Sequence, residues 1–65
     1  MTKILTIKDV ASILKVKPET ISWWTRSRKI PFVKIGRYIR YLEKDILFWI
    51  ESKKANINEN ISVYD

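Results

Sequence analysis

Only three residues, Lys15-Val16-Lys17, separate two segments that each pattern as a short amphipathic helix. In the first, Ile7, Val10, Ala11 and Leu14 recur at i, i+3, i+4 and i+7, one helical face. Thr6 ahead of them is a good N-cap. In the second, Pro18 suits the first helical position, where its missing N–H is not needed. Glu19 beside it favours the positive helix end. The spacing predicts a helix from about Pro18 to Ser27 that buries Ile21 and Trp24. Two helices joined this tightly must cross at a steep angle. That requires a small residue at the crossing, here Ala11, and apolar residues at the inner positions, here Val10, Leu14, Val16, Ile21 and Trp24.

The pattern is that of a helix-turn-helix. Pro31 then ends the helical stretch, with Ile30 before it biased to extended geometry. Two β-prone runs follow, Phe32-Val33-Lys34-Ile35 and Ile39-Arg40-Tyr41, around Gly36-Arg37-Tyr38. A two-residue Gly-Arg turn would pair Val33 with Arg40 and mix polar with apolar on each face. A three-residue connection pairs Ile35 with Ile39 and Val33 with Tyr41, leaving Lys34 and Arg40 on the opposite face. The second register is preferred, although a three-residue loop ordinarily wants its glycine last. Leu42, Ile46, Trp49 and Ile50 predict a third helix from Glu43 to Ser52 or Lys53. Acidic residues open it and Lys53 and Lys54 close it, as its dipole favours. Residues 1–54 are thus read as one domain and residues 55–65 as a polar tail.

What the chain lacks narrows its chemistry. At 65 residues it is one domain at most. A core of that size rarely supplies more than about 3–5 kcal/mol, and it leaves no room for a deep substrate cavity. Without cysteine or histidine there are no disulfides, thiolate or imidazole metal sites, triads or imidazole proton shuttles. A single glycine excludes a glycine-rich phosphate loop. A binding module without cofactor, metal or small-molecule substrate is expected, rather than an enzyme. No run approaches the roughly 18 apolar residues of a membrane span. MTKILTIKD has no long apolar stretch of a signal peptide, so a cytoplasmic protein is expected.

The net charge is +6, and its distribution is uneven. Between residues 15 and 40, Lys15, Lys17, Arg26, Arg28, Lys29, Lys34, Arg37 and Arg40 face Glu19 alone. Residues 41–65 are net acidic. Cations concentrated on the helix pair and hairpin point to a polyanionic partner.

Over residues 4–52 the chain resembles the short MerR-like winged helix-turn-helix domains of phage and mobile-element excisionases and AlpA-like regulators. The matching pieces are Leu5-Thr6, Ala11 with Leu14, Thr20-Ile21, Lys29-Ile30-Pro31, Gly36-Arg37, Arg40, Asp45-Ile46 and Trp49-Ile50. Lys15 and Arg28 depart from it, standing where such domains often carry glycine. A side chain in a left-handed cap costs roughly 1–2 kcal/mol, so these turns are points of expected difference. Both replacements add positive charge, which suits phosphate contact.

The resemblance implies an α+β fold in which the second helix enters the major groove of double-stranded DNA. The hairpin then acts as a wing on the minor groove or backbone. Lys17, Glu19, Thr20, Ser22, Trp23 and Arg26 are the candidate contacts on or beside the second helix. Arg26 can fork onto guanine or phosphate, Thr20 and Ser22 can bond base edges or phosphates, and Glu19 can accept from a cytosine amine. Lys15, Arg28, Lys34 and Arg40 are candidate backbone contacts, and Arg37 can reach a narrow minor groove.

Trp23 has two readings. It covers the seam between the second helix and the wing, or it meets thymine methyls or sugar. Leu47 and Phe48 fall on the outer side of the third helix. There they contact a neighbouring copy or a recombinase, or the tail covers them. Two functions share the interface. One is an excisionase-like architectural factor assisting a tyrosine recombinase, and the other is a small transcriptional regulator. A winged module for protein contact is the alternative that the concentrated charge disfavours.

Overall fold

A computed structural model describes residues 3–54 of the chain. The elements run β1 (Ile4–Leu5), α1 (Ile7–Leu14), α2 (Pro18–Arg26), β2 (Val33–Ile35), β3 (Tyr38–Leu42) and α3 (Glu43–Ser52). The tail assigned to residues 55–65 lies outside the described residues.

Thr6 caps α1 through a reciprocal box. Its hydroxyl accepts from the Asp9 amide at 3.2 Å, and the Asp9 carboxylate accepts from the Thr6 amide at 2.9 Å. Two of the orphan donors at the helix start are satisfied this way. α2 has no side-chain cap and begins on Pro18 instead. Both helices end alike. After α1, Lys15 takes φ 58°, its amide reaches Ser12 O, and the Val16 amide reaches Ala11 O at 3.0 Å. After α2, Arg28 takes φ 58°, its amide reaches Thr25 O, and the Lys29 amide reaches Trp24 O at 2.7 Å. These are paired Schellman motifs. The left-handed backbone is therefore kept at both turns, with a basic side chain in the place glycine fills most cheaply.

The core is one cluster of Leu5, Val10, Ala11, Ile21, Ile30, Tyr41 and Ile46. Ala11 from α1 and Ile21 from α2 both lie in this cluster. Trp24 is only half-buried, because its side borders an open groove; its ring centroid lies 5.7 Å from that of Trp49 at a 51° tilt. The Trp49 indole N–H donates to Lys29 O at 2.7 Å, anchoring α3 to the connection after α2.

The sheet corrects the sequence reading twice. First, the short strand β1, absent from that reading, completes an antiparallel sheet in the order β1-β3-β2, with Leu5 opposite Tyr41 and Ile4 opposite Leu42. A two-residue run carries no readable alternation, so only its pairing reveals it. Second, the hairpin takes the other register: Val33 opposes Arg40, Lys34 opposes Ile39, and Ile35 opposes Tyr38. Lys34 and Arg40 therefore lie on opposite faces rather than together.

Turn chemistry explains the register. Gly36 has φ 63° at the first of two turn positions, while Arg37 keeps negative φ. That is the φ pattern of a II′ hairpin turn, which wants glycine first. A three-residue loop would need the left-handed residue last, at Tyr38. The mixed faces are tolerated for local reasons. Ile39 and Tyr41 still point to the core side, and Lys34 falls beyond the core edge and is exposed. On the outer face the Arg40 guanidinium stacks 5.2 Å from the Tyr38 ring centroid.

Candidate nucleic-acid interface

α2 is held by its inner side, and its other sides follow from the helical turn of about 100° per residue. Ile21 is fully buried, and Thr25 lies on the same side one turn on. Ser22 and Arg26 then project toward the wing. They line a cleft of about 820 Å³ whose other walls include Arg28, Phe32, Lys34, Arg37, Tyr38 and Arg40. Five of its lining residues are cationic and none is acidic. Arg26 from α2 and Arg37 from the turn between β2 and β3 thus share one concavity. Cleft walls of low dielectric concentrate such a field.

Glu19, Ser22, Trp23 and Arg26 line a shallower depression on the outward side of α2, continuous with the cleft through Ser22 and Arg26. Trp23 is 66% exposed. It does not cover the seam between α2 and the wing, which Arg28, Phe32 and Arg40 border instead. The tryptophan lies beside Arg26 on the open helix surface.

The remaining candidates are less closely grouped. Thr20 is half-buried and lines neither concavity, and Lys15 and Lys17 are exposed at the linker before α2. Arg28 extends from its left-handed turn with its guanidinium 5.9 Å from the Phe32 ring. Arg40 donates to its neighbour Ile39 O at 2.8 Å while stacking on Tyr38, so part of its donor fork is already used. Leu47 and Phe48 are exposed on α3 and line neither concavity.

Thr25, Phe32 and Tyr38 line the cleft although they were not among the sequence candidates. Tyr38 could have been found from its place next to Arg37 at the hairpin tip. Thr25 follows from Ile21 at i+4, on a side otherwise apolar. Phe32 gives no such signal, because its position depends on how the chain leaves Ile30-Pro31.

Among the described residues, no cluster of three His, Cys, Asp or Glu could hold a metal ion. No helix among them is long and apolar enough to cross a membrane.

Comparison with known proteins matches residues 4–54 to the family described as Helix-turn-helix domain. No curated protein and no solved structure matches the chain. The matched span runs from β1 through α3 and covers most of the sequence, and with this fold comes sequence-specific binding of double-stranded DNA. The chain belongs to the helix-turn-helix domain family.

Proposed function

We propose that this protein is a MerR-like, excisionase-like recombination directionality factor. In this reading α2 enters the major groove, the β2–β3 wing follows the minor groove or backbone, and the bound protein assists a tyrosine recombinase. Arg26 forks onto guanine or phosphate, Ser22 and Thr20 bond base edges or phosphates, and Glu19 accepts from cytosine. Trp23 packs on thymine methyls or sugar. Lys15, Lys17, Arg28, Lys34 and Arg40 neutralise phosphates, and Arg37 enters the minor groove.

The observation that carries the DNA-binding geometry is the shared cleft of Arg26 and Arg37. A major groove about 12 Å wide admits one helix, and a cationic wing alongside it meets the flanking backbone. The recombination role rests on the resemblance of residues 4–52 to excisionases.

A salt titration tests the interface. If about five cations neutralise phosphates, log affinity falls with log salt at a slope near −4 to −5. A slope near zero removes nucleic acid from the account. Footprinting and an excision assay test the role. Protection beside attachment sequences with stimulated excision supports it. Protection over a promoter with altered transcription, and no effect on excision, replaces it with the regulator.

A further inference from the structure

Arg40 is held from two directions. Its guanidinium lies 5.2 Å from the Tyr38 ring centroid, and its Nη1 donates to Ile39 O at 2.8 Å. Residues two apart on a strand point to the same face, so Tyr38 and Arg40 are neighbours along β3. Both sit in the paired part of the hairpin, Tyr38 opposite Ile35 and Arg40 opposite Val33, so the backbone beneath them is fixed. Arg40 is half-buried, whereas Tyr38 is 55% exposed.

These contacts restrain Arg40 without using up its chemistry. A guanidinium carries five N–H donors in one plane and no acceptor. One donor goes to Ile39 O, and the tyrosine attracts the cation through the face of its ring. The charge and the other in-plane donors stay available. The residue lines the cleft shared by Arg26 and Arg37, and no acidic side chain is among the described residues lining it. A long side chain ordered before binding avoids the ordering cost that a free one meets on binding. Arg28 is held less closely, its guanidinium 5.9 Å from the Phe32 ring, near the outer limit for such an attraction.

We propose that Tyr38 is a positioning residue: its ring holds the Arg40 guanidinium ready for a phosphate of the duplex and is not itself the contact. This rests on the DNA-binding reading above.

The test compares wild type with Tyr38→Phe, Tyr38→Leu, Arg40→Gln and the double change of Tyr38→Leu with Arg40→Gln. Each is titrated with one mixed-sequence duplex at several salt concentrations, and affinity is taken for the folded fraction. In a second arm without DNA, the Arg40 δ-methylene protons are followed by NMR, because a stacked aromatic ring shifts them upfield.

Tyr38→Phe is expected to keep the wild-type affinity within about twofold, since it keeps the ring. Tyr38→Leu is expected to lose about three- to tenfold with an unchanged salt slope, because it removes order and no charge. Arg40→Gln is expected to make the slope less negative by about 0.9. Adding Tyr38→Leu to Arg40→Gln should then change affinity by less than about twofold, as for two residues acting through one contact. The δ-methylene protons should lie upfield in wild type and Tyr38→Phe and return to their ordinary position in Tyr38→Leu.

Four results overturn the positioning role while the DNA reading stands. Tyr38→Phe losing as much as Tyr38→Leu makes the hydroxyl the contact. An equal loss from Tyr38→Leu with and without Arg40 means that the ring meets DNA directly. Unshifted δ-methylene protons in wild type mean that the stack is absent in solution. Wild-type affinity in Tyr38→Leu means that the order contributes nothing. A wild type that binds no duplex removes the DNA reading, and this proposal with it.

Discussion

The Tyr41 hydroxyl lies 2.7 Å from Thr25 Oγ1, joining α2 to the central strand of the sheet. Thr25 Oγ1 also lies 2.7 Å from Ile21 O and donates its single proton there. Tyr41 must therefore be the donor to Thr25. The strand that carries one side of the wing and the helix that carries Arg26 are thus registered by a directional bond on top of apolar packing.

Removing the two partners has unequal consequences. Tyr41→Phe loses one hydrogen bond and leaves Thr25 bonded to Ile21, so a cost of about 0.5–1.5 kcal/mol is expected. Thr25→Val leaves the buried tyrosine hydroxyl without its acceptor, and about 1–3 kcal/mol is expected. Urea melts of the two variants check the order. A Thr25→Val protein as stable as Tyr41→Phe would show that water replaces the bond.

Arg26→Ala and Arg37→Ala probe the cleft from its two walls. If each arginine neutralises one phosphate, either change makes the salt slope less negative by about 0.9, and the double change by about twice that. If Arg26 instead forks onto a base, its loss costs about 1–3 kcal/mol against the preferred sequence and much less against random DNA. Affinities for one specific and one random duplex at several salt concentrations separate the cases.

Trp23→Ala is expected to weaken DNA binding more than it weakens the fold. A side chain 66% exposed contributes little packing, and surface changes generally stay within about 0.5 kcal/mol. A large drop in melting temperature with unchanged affinity of the folded fraction would assign Trp23 to structure.

The helices were legible in the sequence because their signals are local. Thr6, Pro18 and Pro31 mark boundaries, and Ile7, Val10, Ala11 and Leu14 mark a face. The hairpin was legible as a hairpin but not in register. Binary patterning favoured four apolar residues on one face, whereas Gly36 at the first turn position favoured the opposite pairing, and the turn prevailed. β1 was hidden because Ile4 and Leu5 gain their meaning from Leu42 and Tyr41, far along the chain. Of the site, the cations could be named from the sequence. Their grouping could not, since it depends on the sheet placing Arg37 across from Arg26.

Acid should loosen the start of α1. The Thr6 backbone N–H holds the Asp9 carboxyl below its ordinary value; desolvation opposes it, and the Thr6 hydroxyl and Lys3 add smaller lowering effects. A carboxyl depressed in the folded state contributes stability above its unfolded value, and that contribution is lost as pH falls through the folded value. Melting temperatures followed from roughly pH 6 downward should therefore fall below about pH 4, less steeply in Asp9→Asn than in wild type. Equal slopes would mean that other carboxylates dominate the acid limb.

Lys15 and Arg28 set stability against binding at two equivalent positions. Each holds φ 58° at the end of a helix, where a β-carbon is penalised and glycine is not. Glycine also loses more backbone entropy on folding, so the full left-handed penalty of about 1–2 kcal/mol is not recovered. A gain of up to about 1 kcal/mol is expected from either Lys15→Gly or Arg28→Gly. The two should differ in function. Arg28 lines the cationic cleft and Lys15 does not, so Arg28→Gly should lose more DNA affinity than Lys15→Gly at equal change in net charge. Thermal melts and salt titrations of the two variants give both quantities. Stabilisation without loss of affinity in Arg28→Gly would mean that its charge never meets the phosphates. Destabilisation in either variant would mean that the side chain's own packing, such as Arg28 against Phe32, outweighs the backbone strain.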